Sequence, residues 1–381
     1  MINKKRLIAL TQKVIQFDSQ NPPGNEWELS QFIKKDMTSL KGVVVQSYPF
    51  RPKRPNIIAT LKGIWPRKKA TAEAVLVTPH FDTVPVGGGW RFDPFGGKIH
   101  QGRIYGRGAS DDKGNLACSL EVMRSLVEDR VKFKRDIIMA ATADEETGSH
   151  YGILPLLQKK ILKPRVGLIL DSDGFYSIIA QKGLFHCRVK IFGKKAHGAY
   201  NWRGINAIEQ AAEIIEAIKK HKFTYKTHAL LRPPTKNIGT IKGGDKVNIV
   251  ADYCEFSVDM RYLPSMSAKQ VLNDLTKIIR RTTNKFAIEI DDSQNPYEID
   301  PQHPFVQTWV STCHKMGIKS ELKGSEGATV ISFFKKAGIP AFATGFATPG
   351  TAHITDEHVK IDNLYHGARV LEQFLKDYDQ L

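Results

Sequence analysis

The sequence predicts an α/β protein that has a mixed β-sheet and carries an inserted second domain. Short apolar runs, which are typical of buried strands, alternate with segments of helical periodicity along most of the chain. Between residues 185 and 291 the predicted order is strand, helix, two strands, helix and strand, which is the βαββαβ order of a ferredoxin-like module. We therefore predict a larger domain of residues 1–180 and 292–381 and an inserted domain of residues 181–291.

The larger domain is predicted to begin with a helix that places Leu7, Leu10 and Val14 on one face, followed by a turn rich in proline and glycine at residues 19–25. The predicted strands of this domain span 43–45, 56–61, 74–78, 136–141 and 166–170. Its further predicted helices span 27–39, 109–129, 305–315, 328–337 and 361–378. Because the strand at 74–78 is a short apolar run bounded by a proline, we expect it to be buried in a mixed or parallel sheet.

The inserted domain is predicted from the same kinds of pattern. Its predicted strands span 185–191, 237–241, 252–261 and 286–290. Its predicted helices span 205–219 and 267–282.

The charge and cysteine content exclude some classes of protein. The chain carries 56 basic and 39 acidic residues, a net charge of +17, so nucleic-acid binding has to be considered. The basic residues form small clusters without an aromatic-rich basic helix, so we predict no nucleic-acid partner and attribute the charge to solubility or to attraction of anionic substrates. No apolar run approaches the length that crosses a bilayer, and four scattered cysteines form no C-x-x-C pair. We therefore predict no membrane partner and a cytoplasmic location.

A histidine and an aspartate directly follow the predicted strand at 74–78. Ligands of open α/β sheets bind at the carboxyl ends of strands, and alternation of side chains lets His80 and Asp82 point the same way. Asp82 can then accept the ring N–H of His80 and fix its tautomer, while the other ring nitrogen meets a metal ion. A strand end that carries two ordinary surface polar residues is the alternative.

Further acids and a second histidine complete a set that suits a pair of divalent cations. Two imidazoles and three or four carboxylates are ligands that borderline divalent ions select, and a shared carboxylate can bridge ions about 3.5–4 Å apart. The side chains of the neighbours Glu145 and Glu146 diverge, so one is expected to bind an ion and the other to move the proton of the attacking water. Complementing the dipole of a following helix is the alternative for this pair. The full set is His80, Asp111, Glu145, Glu146, Asp171 and His353.

Four ordered segments, which extend over most of the chain, resemble the motifs of the M20 family of metallopeptidases and amidohydrolases. They are residues 78–85, 106–114, 144–148 and 352–357. The resemblance implies a zinc-hydrolase catalytic domain that binds two divalent metal ions, zinc by preference, with cobalt or manganese as alternatives. It implies His80, Asp111, Glu146, Asp171 and His353 as metal ligands.

The same resemblance implies a role for each residue. Asp111 bridges the two ions, His80 binds one ion, and His353 and Glu146 bind the other. In the family a further metal ligand stands eleven residues before the lysine of a lysine-glycine turn. That lysine is Lys182 here, so the ligand corresponds to Asp171. Two further residues take catalytic roles: Asp82 orients His80, and Glu145 is the general base.

The inserted domain resembles the lid and dimerisation domain of the family. The resemblance implies a homodimer in which His197 reaches the site of the partner subunit and stabilises the oxyanion of the tetrahedral intermediate. It implies that Asn248 and Arg261 bind a substrate carboxylate, a task that suits the fork of an arginine. In isolation, His197 would be a surface histidine, and Arg261 would pair with Asp259 or a neighbour.

The expected function is hydrolysis of the amide bond of a small N-acyl amino acid or short peptide that bears a carboxylate, as in a deacylase or desuccinylase. A carboxypeptidase or an aminopeptidase/dipeptidase of the same family is the alternative. This alternative is favoured by Asp112, which follows the bridging aspartate, and by Asp171, which stands where deacylases usually carry glutamate. A catalytically silent protein that binds metal or nucleic acid is a hypothesis from another class, and the presence of Glu145 argues against it.

Overall fold

The apolar runs of the sequence form strands and the segments of helical periodicity form helices in the structure, a computed structural model that describes all 381 residues. Up to residue 170 the helices are α1 (Lys4–Ile15), α2 (Trp27–Thr38), α3 (Arg67–Ala72), α4 (Lys113–Glu128) and α5 (Ile153–Gln158). The strands of the same part are β1 (Val43–Pro49), β2 (Pro55–Leu61), β3 (Val75–Pro79), β4 (Lys98–His100), β5 (Arg103–Tyr105), β6 (Ile137–Ala141) and β7 (Val166–Leu170).

From residue 171 onward the chain forms nine further strands and five further helices. Its strands are β8 (Ser177–Gln181), β9 (Gly183–Phe192), β10 (Thr235–Gly243), β11 (Tyr253–Tyr262), β12 (Phe286–Gln294), β13 (Tyr297–Glu298), β14 (Leu322–Ser325), β15 (Ala341–Thr344) and β16 (His358–Lys360). Its helices are α6 (Ala207–Lys220), α7 (Ala268–Arg280), α8 (Pro304–Lys315), α9 (Ile331–Ala337) and α10 (Ile361–Tyr378). Helix α9 begins three residues later than the predicted helix at 328–337.

The chain forms two compact units. The first unit comprises Met1–Ile179, Ile299–Lys323 and Phe333–Leu381, and the second comprises Ala180–Glu298 and Gly324–Ser332. The domain limits deduced from the sequence, with residues 181–291 as the insertion, remain a prediction.

The first unit contains the predicted mixed sheet, in the strand order β1-β2-β6-β3-β7-β15. Strand β3 is parallel to both β6 and β7, and β7 is parallel to β15, whereas β1 and β2 are antiparallel. Every residue of β3 and β7 is buried, as expected for central strands whose two faces are both covered. The carboxyl ends of β3, β6 and β7 therefore meet at one edge of the sheet.

A small sheet that the sequence did not predict joins two distant segments of the first unit. Its strand order is β16-β5-β4, and Tyr105 of β5 lies opposite His358 of β16. The pairing brings the loop after β5 next to the loop before β16, and both loops carry predicted site residues. The strands are only three residues long, so their apolar periodicity is too short to be read from the sequence.

The second unit has the predicted βαββαβ order and a four-stranded antiparallel sheet in the order β10-β11-β9-β12. Along β9 buried and partly exposed residues alternate, so that Cys187, Val189 and Ile191 face one side. Helices α6 and α7 contribute Ile214, Ile218, Leu275 and other apolar side chains to the same core.

The segment Gly324–Ser332 belongs to the second unit. Polar contacts join it to Gln181, the last residue of β8, and to Lys182, which follows that strand. The side chain of Gln181 accepts a hydrogen bond from the N–H of Thr329 at 2.9 Å, and the N–H of Lys182 donates to the carbonyl of Ser325 at 3.1 Å. Nothing in the local sequence pattern indicates these long-range contacts. No helix of the chain combines the length and the apolar character that crossing a bilayer requires.

An aromatic cluster in the first unit predicts a large stability effect. The ring of Trp309 on α8 is fully buried and lies 5.2 Å from that of Phe374 and 6.0 Å from that of Phe342. We expect Trp309→Ala to lower the free energy of unfolding by about 3–5 kcal/mol, because the deletion leaves a cavity. Urea unfolding followed by circular dichroism measures the change.

The matched control is Trp27→Ala, since Trp27 is 41% exposed on α2. We expect this variant to lose less than about 1 kcal/mol. Equal losses in the two variants would contradict the assignment of Trp309 to the core.

Candidate metal centre

Strand ends position most of the predicted site residues. His80 directly follows β3, Asp171 directly follows β7, and Glu145 and Glu146 lie in a short 3-10 turn after β6. These strands are neighbours in the sheet, so the residues after their carboxyl ends meet at one edge. Asp111 lies shortly before α4, and His353 lies in the loop between β15 and β16.

The carboxylate of Asp111 lies between two imidazoles. Its Oδ1 is 2.9 Å from Nε2 of His80, and its Oδ2 is 3.1 Å from Nε2 of His353. The same Nε2 of His353 is 3.2 Å from Oε1 of Glu146. Each oxygen of one carboxylate thus faces a different histidine, which is the arrangement that a ligand shared between two cations needs.

The neighbours Glu145 and Glu146 belong to different clusters of potential ligand atoms. Atoms of His80, Glu145 and Asp171 lie within 4.8 Å of one another, and so do atoms of Asp111, Glu146 and His353. A third cluster contains Asp112 with His80 and Asp111. All six residues of the expected set are therefore brought together.

Asp82 connects two of the segments that carry the site. Its carboxylate accepts hydrogen bonds from the N–H groups of Glu145 at 3.0 Å and Glu146 at 3.1 Å. Nδ1 of His80 lies 3.4 Å from Oδ1 of Asp82 and 3.2 Å from its backbone carbonyl oxygen. Asp82 therefore contacts the predicted ligand His80 and also holds the turn that presents the two glutamates.

Asp112 and Asn21 support the site but were not among the predicted site residues. Asp112 is buried, and its Oδ2 accepts a hydrogen bond from the N–H of His80 at 3.0 Å. Nδ2 of Asn21 donates to Oδ2 of Asp82 at 2.9 Å and to Oγ1 of Thr147 at 2.8 Å. Asp112 could have been found from the sequence, because it is next to the predicted ligand Asp111. Asn21 could not, because it stands in a turn segment rich in proline and glycine, where the turn alone accounts for an asparagine.

Burial and like charge shift the pKa values of two carboxyl groups upward. Burial raises the pKa of Asp171 to about 7, with the charge of Asp111 as the next cause. Burial, followed by the charge of Asp171, raises the pKa of Glu145 well above its usual range. Divalent cations would relieve this crowding of negative charge, and carboxylate and imidazole are ligands that such cations accept. The residues present therefore fit a divalent metal centre.

The two imidazoles are shifted in the direction that favours their charged form. Hydrogen bonds to Asp111 and Glu146 raise the pKa of His353 to about 10. Burial by itself would lower the pKa of His80, but its contacts with Asp111 and Asp82 outweigh burial and raise the pKa well above the usual value. For Asp111, the two histidines outweigh burial and lower the pKa.

The second unit carries the remaining predicted site residues. His197 and Asn248 lie on adjoining segments, since the N–H of Gly198 donates to the carbonyl of Asn248 at 2.8 Å. Nδ1 of His197 accepts a hydrogen bond from the N–H of Ala199 at 3.1 Å. Arg261 on β11 donates from Nε to Oδ1 of Asp259 at 2.8 Å, which is the ion pair that the sequence left open as an alternative.

Comparison with known proteins identifies the family. The model of peptidase family M20/M25/M40 matches residues 76–377, which is more than half of the chain. An acetylornithine deacetylase of Shigella sonnei is 32% identical over 302 residues, which cover 76% of each chain.

Solved structures share the fold. The aminopeptidase PepT of Bacillus cereus superposes with a TM-score of 0.81 at 23% identity and covers 99% of both chains. The YXEP protein of Bacillus subtilis, described as a dinuclear metal binding peptidase from the M20 family, superposes with a TM-score of 0.75 at 14% identity, covering 98% of this chain and 97% of its own. The chain therefore belongs to peptidase family M20/M25/M40, and it is a metal-dependent hydrolase of amide bonds, as its motifs predict.

Proposed function

We propose that this chain is a dinuclear metal hydrolase that cleaves the amide bond of a small N-acyl amino acid or short peptide bearing a carboxylate. The observation that carries the proposal is the position of Asp111, whose two carboxylate oxygens contact His80 and His353 separately. In this proposal His80, Asp111 and Asp171 would hold one ion, and Asp111, Glu146 and His353 would hold the other. Zinc is the proposed metal, because imidazole and carboxylate ligands suit it.

The metal ions would polarise the substrate carbonyl and increase the acidity of a water molecule. Glu145 takes the proton from the attacking water and returns it to the leaving amine. Its location supports this role, since it lies within reach of His80 and Asp171 while its neighbour Glu146 contacts His353. Asp82 keeps Glu145 in place by accepting the hydrogen bond from its backbone N–H.

In the proposed enzyme the second unit supplies substrate contacts. His197 of one subunit stabilises the oxyanion in the site of its partner, and Arg261 and Asn248 bind the substrate carboxylate. A homodimer is supported by large apolar side chains that the second unit leaves exposed. They include Tyr200, Trp202, Ile241, Val247 and Ile290. A cytoplasmic location is supported by four cysteines that are all free and buried.

A peptidase acting on a free peptide terminus is the second candidate. It is favoured by Asp171 and Asp112 and by the fold shared with an aminopeptidase. Initial rates on N-acetyl and N-succinyl amino acids, on dipeptides and tripeptides, and on peptides blocked at one end separate the candidates. Preference for N-acyl amino acids supports the first proposal, and preference for a free amino terminus supports the second.

Substitution of the proposed general base tests the mechanism. We expect Glu145→Gln to lower kcat/KM for amide hydrolysis by about 10²–10⁴-fold, because the amide cannot accept the proton of the attacking water. Metal content, measured by elemental analysis, should stay unchanged. The control is Glu28→Gln, which alters an exposed glutamate on α2. Undiminished hydrolysis by Glu145→Gln, or by the wild type after complete chelation, would refute the mechanism.

The raised pKa values of the imidazoles predict that metal affinity increases with pH. Without metal His353 holds a proton at pH 7, because hydrogen bonds to Asp111 and Glu146 raise its pKa to about 10, and the pKa of His80 is shifted in the same direction. A metal ion needs the neutral ring, so its binding must displace such a proton, and raising the pH removes the competitor. We expect the apparent Kd for zinc to fall about tenfold per pH unit for each displaced proton.

Competition with a chromophoric chelator at pH 6, 7 and 8, together with calorimetry in buffers of different ionisation enthalpy, measures this linkage. His353→Gln should release about one proton fewer than the wild type. His314→Gln, an exposed histidine on α8, should release as many as the wild type. A zinc affinity that does not change with pH contradicts the prediction.

Subunit complementation tests the role of His197 across a dimer. Glu145→Ala and His197→Ala should each be nearly inactive alone. Mixed dimers formed by co-expression contain one site that has both residues, so random pairing restores about a quarter of wild-type activity. A wild type that sediments as a monomer, or mixed dimers without restored activity, would exclude this arrangement.

A further inference from the structure

A buried ion pair lies beside the metal centre and has no part in the mechanism described so far. Nη1 of Arg107 is 2.6 Å from Oε2 of Glu357, and the two residues are 2% and 0% exposed. Arg107 follows β5 and Glu357 precedes β16, so the small β16-β5-β4 sheet brings them together. Burying two charges costs free energy unless additional hydrogen bonds compensate for the loss of water.

The second oxygen of Glu357 holds the backbone of the bridging aspartate. Its Oε1 accepts hydrogen bonds from the N–H of Ser110 at 2.8 Å and from the N–H of Asp111 at 3.0 Å. The carbonyl of Glu357 also accepts the N–H of Gly106 at 2.9 Å. The backbone on both sides of Arg107 is therefore bound to this one glutamate.

The guanidinium of Arg107 contacts the other segments that carry predicted ligands. It donates to the carbonyls of Pro85 at 3.2 Å and Val86 at 3.4 Å, shortly after Asp82, and to that of Ile354 at 3.4 Å, next to His353. It also lies over the ring of Trp90 at 5.2 Å. The guanidinium of an arginine carries five N–H donors in a rigid fork, which suits contacts with several acceptors at once.

We propose that the Arg107–Glu357 pair is a positioning pair that sets the separation of His80, Asp111 and His353 and thereby the affinity for both metal ions. The inference rests on the proposed metal centre. The pair joins the three segments that bear these ligands, and each ligand comes from a different part of the chain. Removing a group that orients metal ligands in this way typically weakens metal affinity by about 10- to 100-fold.

A second buried ion pair in the first unit provides a matched control. The carboxylate of Asp379 accepts hydrogen bonds from the backbone N–H groups of Lys134 at 2.8 Å and Arg135 at 3.3 Å. Nε of Arg135 is 3.3 Å from Oδ1 of Asp379. Both residues are buried. Like Arg107–Glu357, the pair combines a buried arginine–carboxylate contact with backbone N–H donors to the acid, but Arg135 lies just before β6, at the opposite end of that strand from Glu145.

The test compares Glu357→Gln with Asp379→Asn. Zinc affinity is measured by competition with a chromophoric chelator, and the cobalt(II)-substituted proteins are compared by their visible d–d absorption. Urea unfolding of the metal-free proteins measures stability. We expect both variants to lose stability, but only Glu357→Gln to raise the Kd for zinc about 10- to 100-fold and to change the cobalt spectrum.

Arg107→Lys keeps the positive charge and removes the fork, and it replaces Glu357→Gln as the test if that variant does not fold. We expect it to weaken zinc binding and alter the cobalt spectrum in the same direction. Wild-type affinity and spectrum in these variants, or an equal loss of affinity in Asp379→Asn, overturn the positioning role alone. A wild type that binds no zinc and no cobalt overturns the proposed metal centre, and the positioning role with it.

Discussion

The concentration of negative charge at one edge of the sheet is the constraint on which the rest of the first unit depends. Asp111, Glu145, Glu146 and Asp171 lie close together, and burial with mutual repulsion raises the pKa of Asp171 to about 7. Such a group is stable only when cations or protons compensate the charge. In the metal-free protein the imidazole of His353, whose pKa is raised to about 10, partly does so, and divalent cations would do so more completely.

Buried polar contacts hold the loops that carry this charge. Arg54 pairs with Glu26 and lies 2.8 Å from Asp144, which directly precedes the two glutamates of the site. Asp82 holds the backbone of the same two glutamates, and Glu357 holds that of Asp111. Each of these acids accepts bonds from backbone N–H groups or from an arginine, so its own charge is compensated locally. The site thus combines acids that are paired with acids that remain available for cations.

The second unit has its own hydrophobic core, formed by one face of a four-stranded sheet and two helices. Its other sheet face carries polar residues such as His186, Arg188 and Lys190, because side chains alternate along β9. Predicted ligands lie on one unit and predicted substrate contacts lie on the other.

The sequence alone determined the α/β class and the βαββαβ module, and it predicted the six acids and histidines that the fold brings together, because strand periodicity and ligand chemistry are local properties of a chain. It did not reveal the supporting residues Asn21, Asp112, Arg107 and Glu357, because their partners lie far away in the sequence. Asn21 donates to Asp82, Asp112 accepts from the backbone N–H of His80, and Arg107 and Glu357 pair with each other. It also could not show that Arg261 pairs with Asp259, or that residues 324–332 join the second unit. Only tertiary structure decides such pairings, because a buried polar group takes whichever partner the fold brings within hydrogen-bonding distance.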